Sequence, residues 1–543
     1  MALAPAPTHP GLRPLDWIVI FLYGGVLLAI GAFYSRRQKS TEDYFVGGRN
    51  MKSWLVGLSL FATLLSTISY LAQPGEMIKH GPGVLTGYFY VPIVFVVVGY
   101  LLIPRFMRLK VTSAYEVLEA QFGRSGRLFG ATLFLATRLV WMALMMFLTA
   151  KVMVVVLGID QRWTPLVIAL TGIVTVAYTG AGGLEAVVMT DVLQFFVLMA
   201  GALVTILLIS IHLGSVSAWF PTSWSPNWDR QPFFSFDPTV RVTVVGSILN
   251  TALWWICTAS SDQMAVQRYA ATPDARTARR AFLINCIADV TVGLILAAVG
   301  FALLAYFRSG VAGQGVDPLA NADYLFPKFI ANYVPAGVAG LVIAGMFSAA
   351  MSSLSSGINS SVTVLTVDFI GQSEGNANDG RASVRRARLL SYGIGVLVIG
   401  LGMVIGAVPG NITEVTNKTN GLFVGPLAGL FILALFVPFA TCFGAVWGAV
   451  YGFAAAFVVA YWDILSARPG LSFQYIIAAA LGVHLVVGLA LSLMARKGPS
   501  GRSRLAWNII VAAPLVVLIV WICRIDRTPT AMVGPAMAAV AAH

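Results

Sequence analysis

The stretch Ser59-Leu-Phe-Ala62-Thr63-Leu-Leu65-Ser66-Thr67-Ile-Ser69-Tyr70-Leu-Ala-Gln73-Pro74-Gly75-Glu76 is apolar enough to enter a membrane, yet it crowds hydroxyl residues into its middle. A Pro-Gly pair follows within two turns. If the helix breaks near Ser66 to Ser69, carbonyls such as those of Ala62 and Leu65 lose their i+4 partners and become available to a cation, as in discontinuous membrane helices. The competing reading is an unbroken helix whose hydroxyls bond back to its own carbonyls.

The membrane setting follows from composition. Of 543 residues, 58% are hydrophobic and only 10% charged, against about 25% charged in an average soluble domain. Since a spanning helix needs about 20 mostly apolar residues, spans are expected near 15–35, 53–75, 83–106, 129–158, 163–181, 185–213, 242–264, 282–306, 334–370, 388–408, 420–437, 441–463, 474–496 and 505–523. The expectation is an all-α polytopic membrane protein of about 14 transmembrane helices, each satisfying its own backbone amides. The ninth stretch is long enough to include a short entry helix ending near Pro335.

The net charge of +13 could indicate nucleic acid, but the basic residues sit in short runs between apolar stretches. Loops after segments 1, 3, 7, 9 and 13 hold 22 of the 35 Lys and Arg, including Arg36, Arg49, Arg105, Arg127, Arg268, Arg280, Arg385, Arg388 and Arg502. By the positive-inside rule those loops are cytoplasmic and both termini non-cytoplasmic. The implied partner is the lipid bilayer, not nucleic acid. Residues 1–14 are Pro-rich without secretory-signal pattern and read as a disordered tail, as does 524–543. Cys257, Cys286, Cys442 and Cys523 show no CxxC pair or disulfide spacing. The sequons at Asn411 and Asn417 matter only in a glycosylating host. With no phosphate-loop, HExxH or zinc-spaced motif, the chain does not read as an enzyme, and energy would come from an ion gradient.

Segment 9 reads Ala344-Gly-Met-Phe-Ser348-Ala349-Ala-Met-Ser352-Ser353-Leu-Ser355-Ser356-Gly-Ile-Asn359-Ser360. Helical spacing puts Ala349, Ser352, Ser353, Ser356 and Ser360 on one hydroxyl-rich stripe, with Ser355 at its margin. Hydroxyls and freed carbonyls suit a hard cation; the same small residues also suit close helix packing. Segment 7 repeats the interruption in Trp254-Trp255-Ile-Cys-Thr258-Ala-Ser260-Ser261-Asp262-Gln263. Two breakable helices five segments apart fit an inverted repeat of segments 2–6 and 7–11 around a midplane site. Intramembrane charges are costly and therefore functional candidates. Asp191 is placed to complete a second cation site, and the planar fork of Arg138 suits an anion. Asp289 is a weaker candidate, and Lys151 reads as snorkelling to the interface.

Together these stretches resemble the sodium:solute symporter family. The matching residues are Thr112-Ser-Ala-Tyr115-Glu116-Val-Leu118-Glu119 with Phe122-Gly123, Gly182-Gly183-Leu-Glu-Ala186-Val187 with Thr190-Asp191 and Gln194, Gln263 with Gln267-Arg268, and the Ala349 to Asn359 run. They extend in family order from about residue 15 to 460. The resemblance implies the leucine-transporter fold: a leading helix at 15–35, inverted repeats at 53–213 and 242–437, two broken helices, and peripheral helices at 441–523. It places a main sodium site at Ala62, Leu65, Ala349, Ser352 and Ser353, and a second at Asp191, Ser352, Ser355 and Ser356, so that one or two sodium ions bind.

Segment 2 is similar to the monocarboxylate, vitamin and iodide branch of that family. Leu64, Ile68 and Ser69 replace the polar positions of its sugar carriers. Arg138 falls near an arginine that binds the substrate carboxylate in sialic acid carriers. The resemblance therefore implies sodium-coupled import of a small organic solute, an organic anion, by alternating access in the plasma (inner) membrane, with the chain working as a monomer. The expected cavity lining is Ser66, Ser69, Tyr88, Arg138, Trp255, Thr258 and Asn420. A sodium-coupled sugar or amino-acid symporter is the alternative within the class, and a non-transporting solute sensor the alternative outside it.

Overall fold

The computed structural model describes residues 12–309, 317–320, 322–371, 380–405, 412–466, 468–494 and 502–524. Regular structure among them is helical throughout. The leading helix α1 (Pro14–Ser35) is followed by the short α2 (Thr41–Val46), then α3 (Ser53–Leu64), α4 (Thr67–Lys79), α5 (Val91–Val96) and α6 (Ile103–Leu109). The long α7 (Glu116–Leu157) and α8 (Thr164–Leu213) precede α9 (Val244–Ser261), α10 (Gln263–Ala270), α11 (Ala275–Arg308) and α12 (Ala322–Tyr333). The chain continues through α13 (Val338–Val364), α14 (Gly380–Val404), α15 (Ile412–Phe436), α16 (Cys442–Ala460), α17 (Trp462–Ser466), α18 (Tyr475–Met494) and α19 (Arg502–Arg524).

Ten helices among the described residues are long and apolar enough to cross a membrane, or eleven when the bent pair α3/α4 counts as one span. This criterion does not reach the fourteen spans read from the sequence. Segments 5 and 6 both lie on α8, which is two helices meeting at a kink at Gly183 and enters this count once, while only parts of α15 and α19 lie among residues whose side chains are described. Gly183 sits at φ +61°, and a Cβ there would lie 2.8 Å from the Tyr44 carbonyl oxygen. The backbone approach and the left-handed torsion both require glycine. The short entry helix, α12, ends just before Pro335 as expected but lies upstream of the 334–370 stretch. Its Asp323 and Lys328 keep it out of the apolar window.

Four of the five basic loops are tied together at one end of the bundle. The Arg49 guanidinium donates to the Lys110 carbonyl at 3.1 Å, the Met51 amide to the Ala271 carbonyl at 3.0 Å, and Arg388 to the Ser35 carbonyl at 2.7 Å. At the other end the Asp16 carboxylate accepts the amides of Gly337 and Gly340 at 2.7 and 2.8 Å, and Arg308 reaches Asn227 at 2.8 Å. The start of α1 thus lies at the end of the bundle opposite these four loops.

Helix α13 runs through the centre, buried along almost its whole length and packed on α8. Apolar burial gives helices in lipid little reason to associate, so close approach through small residues carries the packing. A Cβ on Gly345 would lie 3.2 Å from the Leu198 Cα, and one on Gly201 3.2 Å from the Val342 Cα. Small residues on that face serve packing, which frees the serine face for α3 and α4.

Candidate sodium and solute sites

The helix through residue 60 does break. After Leu64 the chain extends through Leu65 (φ −79°, ψ 122°) and Ser66 (φ −106°, ψ 164°), and α4 leaves at 63° to α3. Ser66 caps the new helix by accepting the Ser69 amide at 3.2 Å. Two extended residues release carbonyls of the last turn of α3 from helical bonding. The Ser353 hydroxyl of α13 donates to two of them, Thr63 at 2.9 Å and Leu65 at 3.0 Å. Ala62, Leu65, Ala349 and Ser352 line one cavity of about 10 Å³ between α3, α8 and α13, with Ser348 and Gln194. That is room for about one water-sized sphere. The structure therefore gathers the five residues expected at the main sodium site, four around the cavity and Ser353 on its Leu65 edge.

The residues expected at the second site form a closed polar cluster around Asp191. Its Oδ1 accepts the Ser352 hydroxyl at 2.6 Å, and its Oδ2 accepts Ser59 at 2.6 Å, Thr63 at 3.2 Å and Arg268 at 2.9 Å. Ser356 joins through Thr63 at 2.9 Å and Arg268 at 2.5 Å, while Ser355 donates back to the Ser352 carbonyl at 3.0 Å. Both side chains of the Asp191–Arg268 pair are completely inaccessible. Arg268 had been counted among the basic loop residues; the structure corrects this by burying it at the end of α10. Nothing local marks the difference, because the carboxylate that neutralises it lies on α8.

The second break comes at Asp262 (φ −84°, ψ 122°), between α9 and α10, inside the interrupted stretch of segment 7. Asp262 caps α10 by accepting the Met264 amide at 2.9 Å and forms an ion pair with Arg138.

A larger cavity, about 310 Å³, lies beside the first break. Ser66, Ser69, Tyr88 and Trp255 line it, as expected. Arg138 does not: Trp141, one turn on along α7, reaches the cavity, whereas Arg138 is engaged with Asp262. Thr258 is buried outside it, and the Asn420 side chain falls outside the described residues. Sequence reasoning missed Asn250, Thr251 and Glu76, and ranked Asp289 low, although all four line the cavity. The helical spacing of Asn250, Thr251, Trp254 and Trp255 was a signal for the first two. Glu76 is held by both nitrogens of Arg241, at 2.7 and 2.8 Å. Burial opposes the Arg241 charge and the Glu76 bonds outweigh it, holding its pKa above the ordinary value.

Phe61 and Leu65 line both cavities, so an ion at the small one and a solute in the large one share a wall. Residues 44–452 match the family model described as the sodium:solute symporter family. The sodium/sialic acid symporter SiaT of Proteus mirabilis (strain HI4320) is 30% identical over 492 residues, covering 87% of this chain and 93% of that protein. The sodium-coupled monocarboxylate transporter 1 of Mus musculus is 30% identical over 469 residues, covering 83% and 73%. A solved structure of a Na+-coupled sialic acid symporter, substrate-bound and outward-open, superposes with a TM-score of 0.75 at 26% identity over 89% of this chain and 98% of that one. The chain belongs to the sodium:solute symporter family.

Proposed function

We propose that this protein is a sodium-coupled secondary active symporter that imports a small organic solute by alternating access, as a monomer in the plasma (inner) membrane with both termini non-cytoplasmic. The observation that carries the reading is the wall shared by the two cavities at the α3/α4 break. Sodium at Ala62, Leu65, Ala349, Ser352 and Ser353 ties α13 to the broken helix and fixes the shape of the solute cavity. Ion and solute then strengthen each other's binding reciprocally. One net charge moving inward through 100 mV adds about 2.3 kcal/mol to the driving force.

Asp191 with Ser352, Ser355 and Ser356 is the proposed place of a second sodium, since Oδ1 accepts one protein donor and keeps capacity for a cation. The solute is proposed to be an organic anion whose carboxylate faces the start of α4 at Ser66 and Ser69, where unsatisfied amides and the helix dipole favour negative charge. The test is thermal unfolding of purified protein in NaCl against KCl. Stabilisation by sodium alone, displaced to higher concentration in Ser353→Ala, supports the assignment. Equal response to both salts overturns it.

A further inference from the structure

Among the residues that line the large cavity, Glu76 and Asp289 are the only charged ones, and none is Lys, Arg or His. Glu76 is neutralised by Arg241. Asp289, on α11, accepts the Tyr90 hydroxyl at 2.7 Å and is also hydrogen-bonded by the Trp255 side chain, and no ion pair among the described residues includes it. A second acceptor lines the same space: the Asn250 Oδ1 is buried without a hydrogen-bond partner. Around them stand aromatic faces. Trp255 stacks on Tyr90 with centroids 5.8 Å apart, Trp254 packs edge-on to Trp255 at 5.0 Å, and Tyr88 occupies the room left by Gly293, one turn beyond Asp289.

A carboxylate with no cationic partner, an unmatched acceptor and indole faces all attract a positive charge. A solute carrying only a carboxylate would bring a like charge to Asp289 with no cation on the wall to offset it. We propose that the cavity recognises a solute with a protonated or quaternary nitrogen, seated against Asp289, Asn250 and Trp255. With a carboxylate at Ser66 and Ser69, such a solute is a zwitterion, and it is an organic anion as well where it carries a further acidic group. Asp289 is then the residue that separates nitrogen-bearing solutes from plain carboxylates of the same shape.

The inference rests on the symporter reading above, so its test keeps the two apart. Purified protein is titrated in NaCl and in KCl with three matched pairs: glycine betaine and 3,3-dimethylbutanoate, L-proline and cyclopentanecarboxylate, choline and 3,3-dimethylbutan-1-ol. Tryptophan fluorescence and melting temperature are followed. The expected result is sodium-dependent binding of at least one nitrogenous member, its nitrogen-free counterpart weaker by about tenfold or more. Asp289→Asn should abolish that preference while its melting temperature still rises with sodium. The inference is overturned if sodium stabilises the protein and no nitrogenous member binds, if the two members of every pair bind alike, or if Asp289→Asn leaves the preference intact. Loss of the sodium response in the unaltered protein overturns the symporter reading instead.

Discussion

Asp191 and Arg268 form a charge pair 2.9 Å apart in which neither side chain has any accessible surface. The pair joins α8 to α10, and through Ser59, Thr63, Ser352 and Ser356 it reaches both halves of the sodium machinery. Breaking a buried pair strands a charge, which costs about 3–5 kcal/mol. Arg268→Met should therefore lower the melting temperature strongly, and the double variant Asp191→Asn/Arg268→Met should recover much of the loss. A double variant no more stable than Arg268→Met would show that the pair is not what holds these helices together.

Asp191 alone offers a sharper readout. If its Oδ1 serves a second sodium, Asp191→Asn should flatten the sodium dependence of solute-driven stabilisation toward a single-ion curve. The one-site and two-site fits separate on the Hill slope. A slope as steep as that of the unaltered protein removes Asp191 from ion binding and leaves it as the counter-charge of Arg268.

Ser352 and Ser353 are neighbours with different duties in this geometry. Ser353 donates to the freed carbonyls of Thr63 and Leu65, whereas Ser352 donates to Asp191. Ser353→Ala should raise the half-saturating sodium concentration by about tenfold, the loss of one good oxygen ligand at about 1.4 kcal/mol. Ser352→Ala should do the same and also disturb the Asp191 cluster, so its melting temperature should fall further. Equal effects of the two on sodium affinity and on melting would contradict this division.

The helices, the first break and the serine stripe were legible because they follow from local composition and helical period, whereas the joining of Ala62 and Leu65 to Ala349 and the serines came from the resemblance to the family. The misread features depend on distant partners. Arg268 reads as a loop cation until Asp191 is seen against it, 77 residues away in sequence. Asp289 reads as an incidental charge until α9 and the Pro82–Tyr90 turn close a cavity around it. The turn at Gly183 was legible, since the apolar runs 163–181 and 185–213 part at the Gly182-Gly183 pair and the chain turns over there.

Arg138 carries the last prediction, because sequence and structure assign it to different partners. Facing Asp262 at the α9/α10 break, it acts on the hinge of the second broken helix. In a role confined to the hinge, Arg138→Ala should lower thermal stability and leave the solute concentration for half-maximal stabilisation nearly unchanged. Asp262→Asn should resemble it, since both remove the same ion pair. If instead Arg138 leaves Asp262 to meet the solute carboxylate, Arg138→Ala should weaken binding of carboxylate-bearing solutes by about tenfold or more and spare choline. Asp262→Asn should then strengthen carboxylate binding by freeing the guanidinium. The opposite signs expected for Asp262→Asn make solute titration of that one variant decisive between the two roles.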